Sequence, residues 1–121
     1  MSGMEPKDEV LDGDAPEDLV REWREFVDEC AGGYPFNLYD YHADLAVRDR
    51  LEACLQAGCL PGAVMQDVEA LDARFRAMLQ PGVQVGPEAD PWWHRGVPVY
   101  AGSELAEGIQ EWFSAPVEVR N

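Results

Sequence analysis

Apolar residues recur along this chain mainly at helical intervals. Leu19, Val20, Trp23, Phe26, Val27 and Cys30 fall at i, i+1, i+4, i+7, i+8 and i+11, which is one apolar stripe of an amphipathic helix. Asp14-Ala15-Pro16-Glu17-Asp18 reads as its start, with a capping side chain, a proline in the first turn and acids facing the positive end of the helix dipole. Gly32-Gly33 ends it. In the next segment Asn37 caps a helix carrying Leu38, Tyr41 and Leu45. Val47, Leu51, Cys54 and Leu55 then form a stripe in a different phase. The phase change predicts a break or kink near Asp44, with Asp44 capping the continuation, and Gly58 as the stop. Pro61 opens a third helix in which Val64, Val68, Leu71, Phe75 and Met78 are spaced 4, 3, 4 and 3, before Pro81-Gly82 closes it.

Residues 81–102 break this rhythm. Four prolines (81, 87, 91 and 98) and four glycines (82, 86, 96 and 102) exclude a long helix. Val83-Gln84-Val85 and Val97-Pro98-Val99-Tyr100 alternate as the two strands of a short ribbon would, and the proline confines the second to an edge. Ser103 is expected to cap a last helix with Leu105, Ile109, Trp112 and Phe113 on one face, ended by Pro116. At 121 residues there is room for one domain. The expectation is a mostly α single-domain bundle of four to five helices over residues 16–121, with a Pro/Gly-rich loop or short β-ribbon before the last helix. Its core should come from Trp23, Phe26, Leu51, Leu71, Phe75 and Trp112. Residues 1–15, acid-rich and nearly devoid of core-forming side chains, read as a disordered acidic tail.

Charge narrows the partner. The chain holds 24 Asp plus Glu against 9 Lys plus Arg, a formal net charge of −15. Such a balance argues against direct nucleic-acid binding by phosphate neutralisation and against docking on an anionic membrane. The N-terminus has neither the basic nor the apolar region of a secretory signal, so a cytoplasmic protein is expected. Residues 1–30 carry eleven acids and three bases, concentrating the charge on the tail and on the outer face of the first helix. Glu22, Glu25, Asp28 and Glu29 belong to that face. Like charges so placed repel one another, and a basic counter-surface would relieve them.

Candidate chemistry is sparse. His42 lies between Asp40 and Asp44, but i, i+2 and i+4 spacing puts it about 200° around a helix from either acid, so a solvated His is the simpler reading. Cys30, Cys54 and Cys59 lack the paired spacing of a zinc site and read as packing residues. Arg48, Asp49, Arg50 and Glu52, like Asp72, Arg74 and Arg76, look like solvated helix faces, or Arg48 and Arg50 meet Asp40 and Asp44 across the kink. Pro91-Trp92-Trp93-His94-Arg95 is the most distinctive string. In a non-helical segment its side chains alternate, so one Trp can anchor the loop while the other, beside Arg95, faces out as an interface hot spot. Otherwise both rings close over the core. No phosphate-binding Gly-rich loop, serine elbow or HExxH string is present, and no cofactor is implied.

With its acidic first helix, the Tyr39-Asp40-Tyr41 turn and the Trp92-Trp93 loop, the chain resembles small acidic bacterial proteins of the immunity or antitoxin type. That resemblance rests on size, charge and helical build. It implies a non-catalytic inhibitor that neutralises a basic partner protein, such as a toxin or nucleic-acid-binding protein. The expected contacts are Glu22, Glu25, Asp28, Glu29, Trp92, Trp93 and Arg95. Two alternatives stand beside it: a small metal-binding protein or enzyme using His42 and His94, and a nucleic-acid mimic.

Overall fold

A computed structural model describes residues 15–120. The elements run α1 (Pro16–Ala31), α2 (Leu38–Ala57), α3 (Gly62–Ala77), α4 (Trp92–Arg95), β1 (Tyr100–Ala101), α5 (Ser103–Phe113) and β2 (Glu118–Val119). The fold is therefore mostly α, with five helices and one two-stranded sheet among the described residues. The segment expected as a tail, and the capping role of Asp14, lie outside the described residues apart from Ala15.

Pro16 occupies the first turn of α1, and the whole expected stripe of Leu19, Val20, Trp23, Phe26, Val27 and Cys30 is buried. α1 packs between α2 and α3. It runs antiparallel to α2, as the pairs Glu22–Arg50 and Glu29–Asp44 show, and alongside α3 in the same direction, as Arg24–Asp67 and Asp28–Arg74 show. Rings from these helices and the connection after α1 form one cluster. Trp23 lies edge-on to Phe75 at 5.2 Å, and Phe26 sits 5.5–5.8 Å from Tyr34, Tyr41 and Phe75. Gly33 makes that connection possible. Its φ is +95°, and a Cβ there would collide with the backbone of Arg120, whose guanidinium donates to the Ala31 carbonyl at the end of α1 (2.9 Å).

The kink expected near Asp44 is absent. α2 is one unbroken helix of 20 residues, capped by Asn37, whose side chain accepts from the Asp40 amide at 2.8 Å. Its two stripes are the edges of one apolar arc of about 200°. The arc is that wide because α1 covers one flank while α5 and α4 cover the other. Arg48 stands near the middle of the arc and is itself buried, and this charge is what makes the pattern look broken.

The ribbon expected between residues 83–85 and 97–100 does not form. Residues 97–99 pair instead with the segment just after α3, through Gln80 N–H to Val97 O and Val99 N–H to Met78 O (both 2.8 Å). β1 pairs in parallel with β2, Tyr100 opposite Glu118. The parallel partner is reached through α5, a long-range connection that alternation cannot reveal. Two expectations for α5 also change. Ser103 is its first residue rather than its cap. Gly102 holds the cap position because its N–H donates to the Tyr34 carbonyl (3.0 Å), and a Cβ there would lie 2.6 Å from that oxygen. Trp112 is 72% exposed, not core. The buried arc of α5 comprises Leu105, Ala106 and Ile109, and Trp112 falls just outside it in the last turn. The other five expected core residues are buried.

Candidate functional site: an acidic groove between two helices

A groove of about 250 Å³ runs between α1 and α2. Phe26, Val47 and Ala43 form its floor. Glu22, Glu25 and Glu29 line it from α1, and Asp44 and Arg50 from α2. The first three share one side of α1 because their i, i+3 and i+7 spacing places them within about 60° of one another. Arg50 answers Glu22 at one end (3.3 Å). At the other end, the Tyr34 hydroxyl donates to Asp44. Burial, and then the charges of Asp44 and Glu25, raise the pKa of Glu29 above the ordinary glutamate value. Burial and the hydrogen bond to Asp44 push the Tyr34 hydroxyl up as well, so it stays a proton donor at neutral pH.

Of the residues singled out in the sequence, Glu22, Glu25 and Glu29 meet in this groove. Asp28 lies on the opposite flank of α1, ion-paired with Arg74 at 2.9 Å. The Trp92–Arg95 string is not a loop with alternating side chains. It forms the single turn α4, opened by the His94 N–H to Pro91 O bond (3.0 Å). Neighbouring helical side chains stand about 100° apart, so the two rings straddle α2 and α3 rather than pointing in opposite directions. Trp93 is 5% exposed; Arg48 lies over its ring (4.2 Å), and its indole N–H donates to Asp49 (2.8 Å). Trp92 is partly buried against Phe75 and covered by Arg76 at 4.0 Å. Arg95 is partly buried, and its Nε has no hydrogen-bond partner among the described residues. Asp49, which anchors α4, lies about 140° around α2 from Asp44. The structure therefore separates Trp92, Trp93 and Arg95 from the groove.

Arg48 and Asp72, read as solvated, form the most enclosed ion pair among the described residues. Arg48 donates to both Asp72 oxygens (2.9 and 2.8 Å) and to Glu52 (3.1 Å), while the Trp23 indole donates to Asp72 at 3.1 Å. Burial opposes the Arg48 charge, but Asp72 and Glu52 outweigh it and raise its pKa. Arg50 reaches Glu22 on α1 rather than an acid across a kink.

His94 Nε2 lies 2.8 and 2.9 Å from the Asp49 oxygens. A carboxylate only accepts, so this nitrogen carries a proton. Partial burial and then the charge of His94 lower the pKa of His42. Among the described residues no group of three or more His, Cys, Asp or Glu side chains is placed to hold a metal ion. Cys30 is buried, Cys54 half-buried and Cys59 exposed.

The sequence reading places neither Asp44 nor Tyr39 among the partner contacts. The sequence gives Asp44 the cap of a kink, whereas in the fold it lines the groove from α2. Tyr39 is 82% exposed and stands one turn before Ala43 on the same face of α2. Its signal was an aromatic residue off both stripes of α2. Among the described residues no helix is long and apolar enough to cross a membrane. Comparison with protein-family models, curated protein sequences and solved structures gives no match to this chain.

Proposed function

We propose that this protein is a non-catalytic binding module that neutralises or regulates a basic partner protein in the cytoplasm, in the manner of an immunity protein or antitoxin. The groove between α1 and α2 would take cationic side chains of the partner. The observation that carries this reading is the crowding of four carboxylates, Glu22, Glu25, Glu29 and Asp44, around one cleft with a single guanidinium at its end. Glu29 already holds its proton more tightly than a free glutamate. An arriving lysine or arginine would relieve that repulsion, so association would be fast, specific for cations and steeply weakened by salt. Tyr39, one turn before the groove-lining Ala43, is an exposed ring on which a guanidinium can lie. Asp28, Trp92, Trp93 and Arg95 are secondary in this reading, because each is engaged within the fold or faces away from the cleft.

The test is capture from a lysate of the source organism on tagged protein at low salt, with a salt step to elute. The reading requires one basic protein in near-equal amount, released by salt. It also requires that reversing Glu22, Glu25 and Glu29 to Lys abolish capture while the circular dichroism spectrum is kept. Equivalent changes at Glu69, Glu88 and Asp90 should leave capture intact. Retained capture by the groove variant refutes the assignment. DNA that competes for the captured partner would recast the same surface as a nucleic-acid mimic.

A further inference from the structure

We propose that Cys54 and Cys59 are a redox-modification site, a thiol pair that a low-molecular-weight disulfide such as oxidised glutathione converts to an intramolecular disulfide across the end of α2. α2 stops in a left-handed glycine, Gly58 (φ 72°). Two backbone bonds close the turn: Gly58 N–H to Leu55 O at 3.1 Å, and Cys59 N–H to Cys54 O at 3.0 Å. This is the six-to-one, five-to-two pattern of a Schellman motif, in which the residue after the glycine folds back onto the residue five positions earlier and the two side chains come into contact. In this chain both contact positions are cysteines. The Cys59 thiol already reaches back, its Sγ donating to the Cys54 carbonyl at 3.4 Å. A backbone hydrogen bond joining the two residues directly keeps their Cα atoms within the roughly 4.4–6.8 Å that disulfides span.

Accessibility sorts the three thiols. Cys59 is exposed, Cys54 half-buried and Cys30 buried. Burial, reinforced by Glu29 and Asp44, pushes the Cys30 thiol far up, which leaves it a poor nucleophile. The chemistry then runs in two exchanges. The Cys59 thiolate attacks one sulfur of oxidised glutathione, forming a Cys59–glutathione disulfide and releasing glutathione thiolate, which takes up the proton Cys59 lost. The Cys54 thiolate next attacks the Cys59 sulfur. The Cys54–Cys59 bond forms and a second glutathione leaves with the Cys54 proton. Two protein thiols are oxidised and one disulfide is reduced to two glutathione thiols.

Incubation of the full chain with oxidised glutathione, followed by acid quench and intact-mass and peptide-mapping analysis, tests this. Wild type should lose two hydrogens, carry no adduct, and yield a single peptide linked between residues 54 and 59. Cys54→Ser should instead retain one glutathione on Cys59. Wild type that keeps glutathione on Cys59 as fully as Cys54→Ser does, that stays reduced, or that links Cys59 to Cys30 or to another molecule overturns the proposal. Hydrogen exchange on wild type needs no variant. Oxidation should slow exchange of the Gly58 and Cys59 amides, and faster exchange would mean that the bond forms only by breaking the turn, which also overturns it.

Discussion

Asp72 and Glu29 are carboxylates on two helices packed together, and they meet opposite surroundings. Asp72 has three donated hydrogen bonds, two from the Arg48 guanidinium and one from Trp23. Glu29 faces Glu25 and Asp44 and is held above its ordinary pKa. The difference lies in how few cations the chain spends. With 9 Lys plus Arg against 24 acids, those paired within the fold serve mainly to tie helices together: Arg48 to α3, Arg50 to α1, Arg24 and Arg74 between α1 and α3. The acids at those junctions are structural. Among the described residues the acids lining the groove outnumber the one arginine there, and this excess is what the proposed basic partner would use.

Arg48 holds the enclosed end of this contrast. Replacing it with Ala leaves the half-buried Asp72 beside a single neutral donor, and should cost about 3 kcal/mol in urea denaturation. A loss under about 1 kcal/mol would show that the enclosed pair is no more structural than a surface one. The double change Arg48→Met with Asp72→Leu should recover most of the loss, because removing both charges removes the desolvation cost with them.

The aromatic residues divide in the same way between enclosed and exposed. Phe75→Ala and Trp93→Ala should each cost about 3–5 kcal/mol, since both empty a packed site. Trp112→Ala should stay within about 0.5 kcal/mol, as surface changes do. Equal losses at Trp93 and Trp112 would contradict the burial seen for the two indoles. The sequence shows four tryptophans without ranking them, and Trp112 even lies on an apparent apolar face. Its exposure follows from which arc of α5 meets α2 and β1, a quantity set by packing.

The smallest effect is expected at Glu29. An acid whose folded pKa exceeds its unfolded value binds more protons when folded, so stability falls as pH rises between those two values. Glu29 is such an acid. Glu29→Gln should therefore be neutral near about pH 4 and slightly stabilising near about pH 7, by a few tenths of a kcal/mol at an exposed site. The check is the difference in unfolding free energy from wild type at the two pH values. A Gln variant that is less stable at the higher pH would mean that Glu29 is held by a favourable partner, and the groove would lose its excess charge.

Much of the fold was legible from periodicity. The stripes of α1 and α3 predict their buried faces, and Gly32, Gly58 and Pro81 lie at or just past the ends of helices. Local chemistry suffices there, because a helix with one buried side repeats at 3.6 residues. The same rule failed at α2, whose burial on two flanks spreads the apolar residues over too wide an arc to show as one stripe. It failed again at residues 81–102, where the pairing partners lie far along the chain. Of the candidate site, the α1 wall of Glu22, Glu25 and Glu29 could be read from spacing. The Asp44 wall could not, since nothing in its neighbourhood says that it faces another helix.

By itself, then, the order of residues determined the number of long helices, most of the core and an excess of acids on the first helix, because these depend on contacts a few residues apart and on composition. Tertiary structure alone decided which charges are enclosed and which are left over. It put Arg48 against Asp72 across 24 positions of chain, drew Trp93 inward, turned Trp112 outward and set Asp44 opposite Glu29. A charge is stabilised or stranded by its neighbours in space at distances of a few ångströms, and only the packing of α1, α2 and α3 supplies those neighbours.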